Sequence, residues 1–165
     1  MNVYLHMTII SKQNSSFEGS FLKKTNMKAK IFVGPAYSGK TRTAQMISEY
    51  IGKDKSVFID GRDLICNPHF AFEEVSSNTE LLIIDECPKN FSFERFYDVE
   101  YDENNQIKGY YFLVNRRITP PKRYSIPKVI IITDFYPEIT GASLNRRFEI
   151  IEFPICDLSK IKTEE

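Results

Sequence analysis

Beyond residue 26, short apolar runs rich in Ile, Val and Leu alternate with segments whose apolar positions recur every three or four residues. That alternation predicts an α/β domain around a mainly parallel sheet. Residues 29–33 form the first expected strand. After a glycine-containing loop, Ala44, Ile47 and Ile51 recur at helical spacing, Tyr50 widens the stripe, and Gly52 with Lys53 gives a stop signal. Residues 56–60 predict a second strand, and Asn67-Pro68 reads as an N-cap and first-turn proline for a helix to about Val75. The unbroken apolar run 81–84 predicts a third strand buried on both faces. Asn90 or Ser92 is expected to cap a short aromatic helix through Phe96 and Tyr97. A hairpin follows, with strands at 99–101 and 107–114 around the turn 102–105. Residues 128–133 predict a fourth strand, Ser143 caps a single turn containing Arg146 and Arg147, and residues 148–153 predict a fifth.

The length of 165 residues fits one domain. Residues 27–157 are expected to form it, with 1–26 as a tail or extra edge strand and 158–165 as a C-terminal tail. The 22 basic and 22 acidic residues balance, so there is no whole-chain basic field to steer nucleic acid. Cys66, Cys87 and Cys156 are widely spaced, and His6 and His69 are the only histidines, which disfavours a metal site or a disulfide framework. The thiols read as reduced. No apolar run approaches the ~20 residues a bilayer requires, and residues 1–10 lack a basic leader, so a cytoplasmic protein without membrane attachment is expected.

The strongest chemical signal is Gly34-Pro35-Ala36-Tyr37-Ser38-Gly39-Lys40-Thr41, a complete G-x-x-x-x-G-K-[ST] phosphate loop. A chance match in a turn would lack the strand before it and the helix after it. Two glycines let the backbone curl until successive N–H groups face one anion, and the helix N-terminus adds partial positive charge. Lys40 is expected to reach the β- and γ-phosphates of a nucleoside triphosphate, and Thr41 to place its hydroxyl on Mg²⁺. Arg42 completes the expected nucleotide-binding set.

Asp85-Glu86 directly follows the third strand, at the edge where open α/β sheets place their ligands. Asp85 is expected to hold Mg²⁺ with Thr41, and Glu86 to orient or deprotonate an attacking water. An acid pair at a strand end also serves as a solvated cap, but beside a phosphate loop the chemical reading is preferred. A glutamate next to the metal-binding aspartate suits hydrolysis better than transfer to a small acceptor. Thr133 and Asp134 end the fourth strand, either near a γ-phosphate or as the start of a turn before Pro137. Arg146 and Arg147 are either phosphate donors delivered from a neighbouring subunit or a solvated surface pair.

In chain order, GPAYSGKT, LLIIDE, a charged hairpin, KVIIITD and SLNRRFEIIEFP resemble the ATPase core of superfamily 3 helicases, AAA+-related P-loop proteins, especially the viral and phage helicase-primase branch, over residues 30–154. The resemblance implies a three-layer P-loop fold with strands in the order 5-1-4-3-2 and the hairpin inserted before strand 4. It implies ATP and Mg²⁺ as ligands and a homo-oligomeric ring such as a hexamer. An arginine finger falls at Arg146 or Arg147. Asp134 falls where the family usually has an asparagine that senses the γ-phosphate; a carboxylate there repels phosphate, leaving Thr133 to take part of the role.

Residues 106–128 contain Lys108, Arg116, Arg117, Lys122, Arg123 and Lys128 without an acid, interleaved with Tyr110, Tyr111, Phe112 and Tyr124. Cations for phosphates and rings for bases suit single-stranded DNA or RNA. The alternative is a basic edge packed by its own aromatics. The leading expectation is an Mg²⁺-dependent ATPase acting as a helicase-like motor. A nucleotide-dependent switch or interaction module, and a small-molecule phosphotransferase, are the alternatives.

Overall fold

The computed structural model describes residues 28–68, 70–89, 91–92, 97–137 and 142–154, with the side chains of 142–144 left aside. The two expected tails, His6, His69, Cys156, the cap at Asn90 and the helix through Phe96 lie outside the described residues, and Ser143, expected as a cap, falls within the helix Ala142–Arg147.

Three strands with mainly apolar sequences make the centre of the molecule: β1 (Ala29–Val33), β3 (Leu81–Cys87) and β7 (Lys128–Thr133). With β2 (Ser56–Asp60) and β8 (Phe148–Glu152) they form a sheet in the order β2-β3-β7-β1-β8, every pairing parallel. The central strands are buried along almost their whole length, whereas the edge strands β2 and β8 are only partly buried. This is why the central runs are continuous in apolarity and the edges are not.

Strand alternation divides the core into two clusters. On one face, Phe32, Leu81, Ile83, Ile130 and Ile132 pack against Ala44 and Ile47 of the helix α1 (Lys40–Ile51). On the other, Ala29, Ile31, Leu82, Ile84, Val129 and Ile131 meet Tyr110, Phe112, Val114 and Ile126. Those four residues belong to a separate antiparallel sheet, β4 (Asp98–Tyr101), β5 (Ile107–Val114) and β6 (Lys122–Ile126), in the order β4-β5-β6. The second face is therefore covered largely by strands.

The hairpin β4–β5 lies where the sequence predicts it. Asp102 Oδ1 accepts hydrogen bonds from the Asn104 and Gln106 N–H groups, and Asn105 adopts a left-handed φ of 59°, a side-chain-stabilised turn. Strand β6 was not expected from sequence. Its period-2 signal is only five residues long: Tyr124 is half-buried and Ile126 buried, while Arg123 and Ser125 are exposed.

The helix expected after Asn67 is corrected. The helix α2 (Gly61–Cys66) precedes Asn67, which serves as its C-cap with its N–H donating to Asp63 O at 2.7 Å. The N-cap is Asp60, whose Oδ1 accepts from the Arg62 N–H at 2.8 Å. Pro68 disfavours helical backbone in the residue before it, so the helix stops there, and residues 70–74 continue as turns.

Candidate functional site

An open cleft of about 660 Å³ lies over the C-terminal ends of β1, β3 and β7, walled by residues 36–42, Arg62, residues 85–88 and residues 132–135. The volume falls within the usual range for small-molecule sites. Parallel strands deliver their loops to one edge, which is how segments far apart in sequence converge here.

The loop after β1 turns sharply because of its neighbours. A Cβ on Gly34 would lie 2.2 Å from Phe153 O, so the chain leaves β1 only with glycine there. Gly39 is the N-cap of α1 with φ 94°, a left-handed conformation that glycine adopts without strain. Between them Tyr37 also has a positive φ, 63°, and its side chain is fully exposed at the loop tip. No acidic residue occupies the first turn of α1, so the carboxylates that meet the partial positive charge of the helix end come from elsewhere in the chain, Asp85 and Asp134.

Lys40 folds back under this loop and is only 5% exposed. Its Nζ donates to Gly34 O at 2.7 Å, Pro35 O at 2.6 Å and Ser38 Oγ at 3.3 Å, and pairs with Asp134 Oδ1 at 2.9 Å. The Thr41 hydroxyl donates to Asp85 Oδ2 at 2.9 Å, joining the start of α1 to the end of β3. Asp85 Oδ1 accepts from the Glu86 N–H at 2.8 Å. The pairing of β3 with β7 shifts register between Ile84 and Cys87. Within that bulge Glu86 takes φ 55°, uncommon for a residue with a side chain, and is exposed at the cleft wall.

Among the described residues, no group of three or more His, Cys, Asp and Glu can hold a metal ion unaided. Thr41 and Asp85 instead offer one hydroxyl and one carboxylate side by side. That donor set fits Mg²⁺, which characteristically takes its remaining ligands from water and substrate phosphates.

Arg62 lines the cleft and was missed in the sequence, where a single arginine after a strand carries no distinguishing pattern. Its guanidinium donates from Nε and Nη2 to both oxygens of Asp60. These hydrogen bonds hold the Asp60 carboxyl below its ordinary range and raise the arginine further. Cys87 also lines the cleft, but burial, reinforced by the Asp85 charge, pushes its thiol well up. It is therefore a packing residue rather than a nucleophile.

The Thr133 hydroxyl is engaged within the protein. It is buried, donating to Cys87 O at 3.0 Å and accepting from the Phe135 N–H at 3.1 Å. The hydroxyl fastens the end of β7 to β3, in a residue that also lines the cleft.

Arg146 and Arg147 end the helix α3 (Ala142–Arg147), immediately before β8. Phe148 is in register with Ala29, at the N-terminal end of β1, so the pair lies at the sheet edge opposite the cleft and neither lines it. Arg146 is exposed. Arg147 donates from Nε to Tyr101 Oη at 3.2 Å, and its carbonyl accepts from Tyr110 Oη at 3.1 Å.

The basic segment divides into several environments. Tyr110 is completely buried, its hydroxyl also accepting from the Ala29 N–H, so the expectation that it stacks on bases is corrected. Period-2 alternation turns it toward the core while Tyr111 faces outward. Arg116 donates to Glu73 O at 3.1 Å and Val75 O at 2.7 Å and lies over Tyr124, tying the 70–75 turn to the antiparallel sheet. Arg123 pairs with Asp98 and lies over Tyr111, while Lys108 pairs with Glu100. Arg117 lies over Phe70, and Lys122 is exposed.

No protein-family model and no curated protein matches this sequence. Among solved structures, two apo A-form structures of the NrS-1 C-terminal region are similar. One has TM-score 0.49 and 17% identity over 78% of this chain; the other has TM-score 0.48 and 16% identity over 79%. This chain spans 29% of the length of each.

Proposed function

We propose that the cleft binds ATP with Mg²⁺ and hydrolyses it, and that turnover serves a helicase-like motor acting on single-stranded DNA or RNA. One observation carries the nucleotide reading: the loop that buries Lys40 also brings Thr41 Oγ1 within 2.9 Å of Asp85 Oδ2, across 44 residues of sequence. Backbone N–H groups of residues 36–41 and the start of α1 are suited to the phosphate chain. Lys40 would give its ammonium to the β- and γ-phosphates, and Arg42, at the cleft wall, adds positive charge. Thr41 and Asp85 would hold Mg²⁺, which neutralises charge on the phosphates when bound. Glu86 would orient and deprotonate the attacking water, a role supported by its exposure at the cleft wall beside Asp85.

Arg146 is the better candidate for a finger serving the site of a neighbouring subunit, since it is exposed and Arg147 is engaged with Tyr101. Its position opposite the cleft favours head-to-tail association, in which one copy's arginine edge meets the next copy's cleft. Arg117 and Lys122 are the basic positions best placed for nucleic acid, with Lys108 and Arg123 available only at the expense of their acidic partners. ATP turnover, measured with and without single-stranded DNA and RNA, tests the reading. Stimulated turnover is expected. Binding without turnover would favour a nucleotide-dependent switch, and no binding would remove the nucleotide reading.

A further inference from the structure

The Lys40 ammonium has three N–H donors, and four protein acceptors lie within reach of it. Gly34 O, Pro35 O and Ser38 Oγ are neutral and belong to the loop itself. Asp134 supplies the only full negative charge among them, at 2.9 Å, from a side chain that is half exposed while that of Lys40 is 6% exposed. The backbone before Asp134 is fixed, because Thr133 is hydrogen-bonded to β3 and to Phe135. The carboxylate is thus tethered against the same ammonium that the proposed function gives to the phosphates.

The geometry points to Asp134 as an internal competitor for the polyphosphate: it holds the Lys40 ammonium and yields it when a phosphate oxygen binds. This rests on the nucleotide reading and names a control on the affinity of that same site. Two like charges cannot share the ammonium at close range without repulsion, so binding exchanges one anion for another. The affinity then reflects the difference between a lysine–phosphate and a lysine–carboxylate contact. The same pair keeps the loop folded around Lys40 in the absence of ligand. The cleft wall also carries Asp85 and Glu86, but in the described contacts neither meets Lys40.

Asp134→Asn keeps the size of the side chain and removes its charge. Calorimetric titration at fixed ionic strength, with inorganic tripolyphosphate and with ATP and Mg²⁺, compares wild type, Asp134→Asn, Glu86→Gln and Lys40→Ala. Asp134→Asn is expected to tighten both ligands roughly tenfold, the scale of one charge-assisted hydrogen bond in a partly solvated site. Glu86→Gln removes an equal charge from the same cleft without releasing Lys40, and its affinity is expected to stay within about twofold of wild type. Unchanged or weaker binding by Asp134→Asn overturns the competitor, as does equal tightening in both variants, which would reduce the effect to general repulsion. If wild type binds, Lys40→Ala does not and Asp134→Asn binds no tighter, the competitor alone falls. If neither wild type nor Asp134→Asn binds either ligand, the nucleotide reading falls with it.

Discussion

Glu86 and Tyr110 show how a single residue's surroundings decide its role. Glu86 sits in a bulge with left-handed backbone, exposed on the cleft wall, and its expected task is that of a base. Glu86→Gln should keep nucleotide affinity while turnover falls by roughly 10²- to 10⁴-fold, the usual worth of a general base. Steady-state turnover alongside calorimetry checks this; wild-type turnover in the variant removes Glu86 from the chemistry. Tyr110 is buried with its hydroxyl bonded to Ala29 N–H and Arg147 O. Tyr110→Phe is expected to cost about 1–3 kcal/mol, because it leaves a buried N–H without its acceptor. Urea denaturation measures that cost. Burial pushes the Tyr110 phenol above its ordinary range, so the folded state favours the neutral form. Its contribution is complete below the unfolded value of about 10 and is lost as pH rises beyond it. The Phe variant should therefore lose less stability than wild type across that alkaline range.

At the level of elements, the antiparallel sheet is joined to the turn at 70–75 by Arg116, through carbonyls 41 and 43 residues away in sequence. Arg116→Ala is expected to destabilise the fold by about 1–2 kcal/mol, two partly solvated charge-assisted bonds being lost. A matching loss of single-strand affinity without any loss of stability would instead make Arg116 a nucleic-acid contact. The central strands and α1 were legible in sequence because their periodicities are long and unmixed: LLII and VIII are continuous, and Ala44 and Ile47 repeat at helical spacing. The Asn67-Pro68 signal misled because a residue before proline can close a helix as well as open one, and the Asp60 cap lay seven residues earlier. Strand β6 was hidden by its basic, mostly exposed residues. In the cleft, the glycine-containing loop 34–41 and Asp85-Glu86 were visible as sequence patterns, whereas Arg62 and the Lys40–Asp134 pair arise from tertiary packing that no local pattern encodes.

Across the whole molecule, the parallel sheet separates two chemical edges, the cleft beyond the ends of β1, β3 and β7 and the arginine pair before β8. If association is head-to-tail, Arg146→Ala should bind ATP normally and turn it over roughly 10³-fold more slowly, the scale of an arginine finger. Mixing that variant with Lys40→Ala should recover part of the activity, since an intact loop then faces an intact arginine across one interface. No recovery, with a monomer by sedimentation in the presence of ATP, would leave Arg146 as a surface charge. The central claim is that the cleft is a triphosphate site organised by Lys40, and calorimetric titration of ATP with Mg²⁺ into wild type and Lys40→Ala tests it most directly. Saturable binding at one site per chain, weakened at least about a hundredfold in the variant by loss of a buried charged contact, is the expected result. Equal affinity in the two proteins, or no binding to wild type, would contradict it.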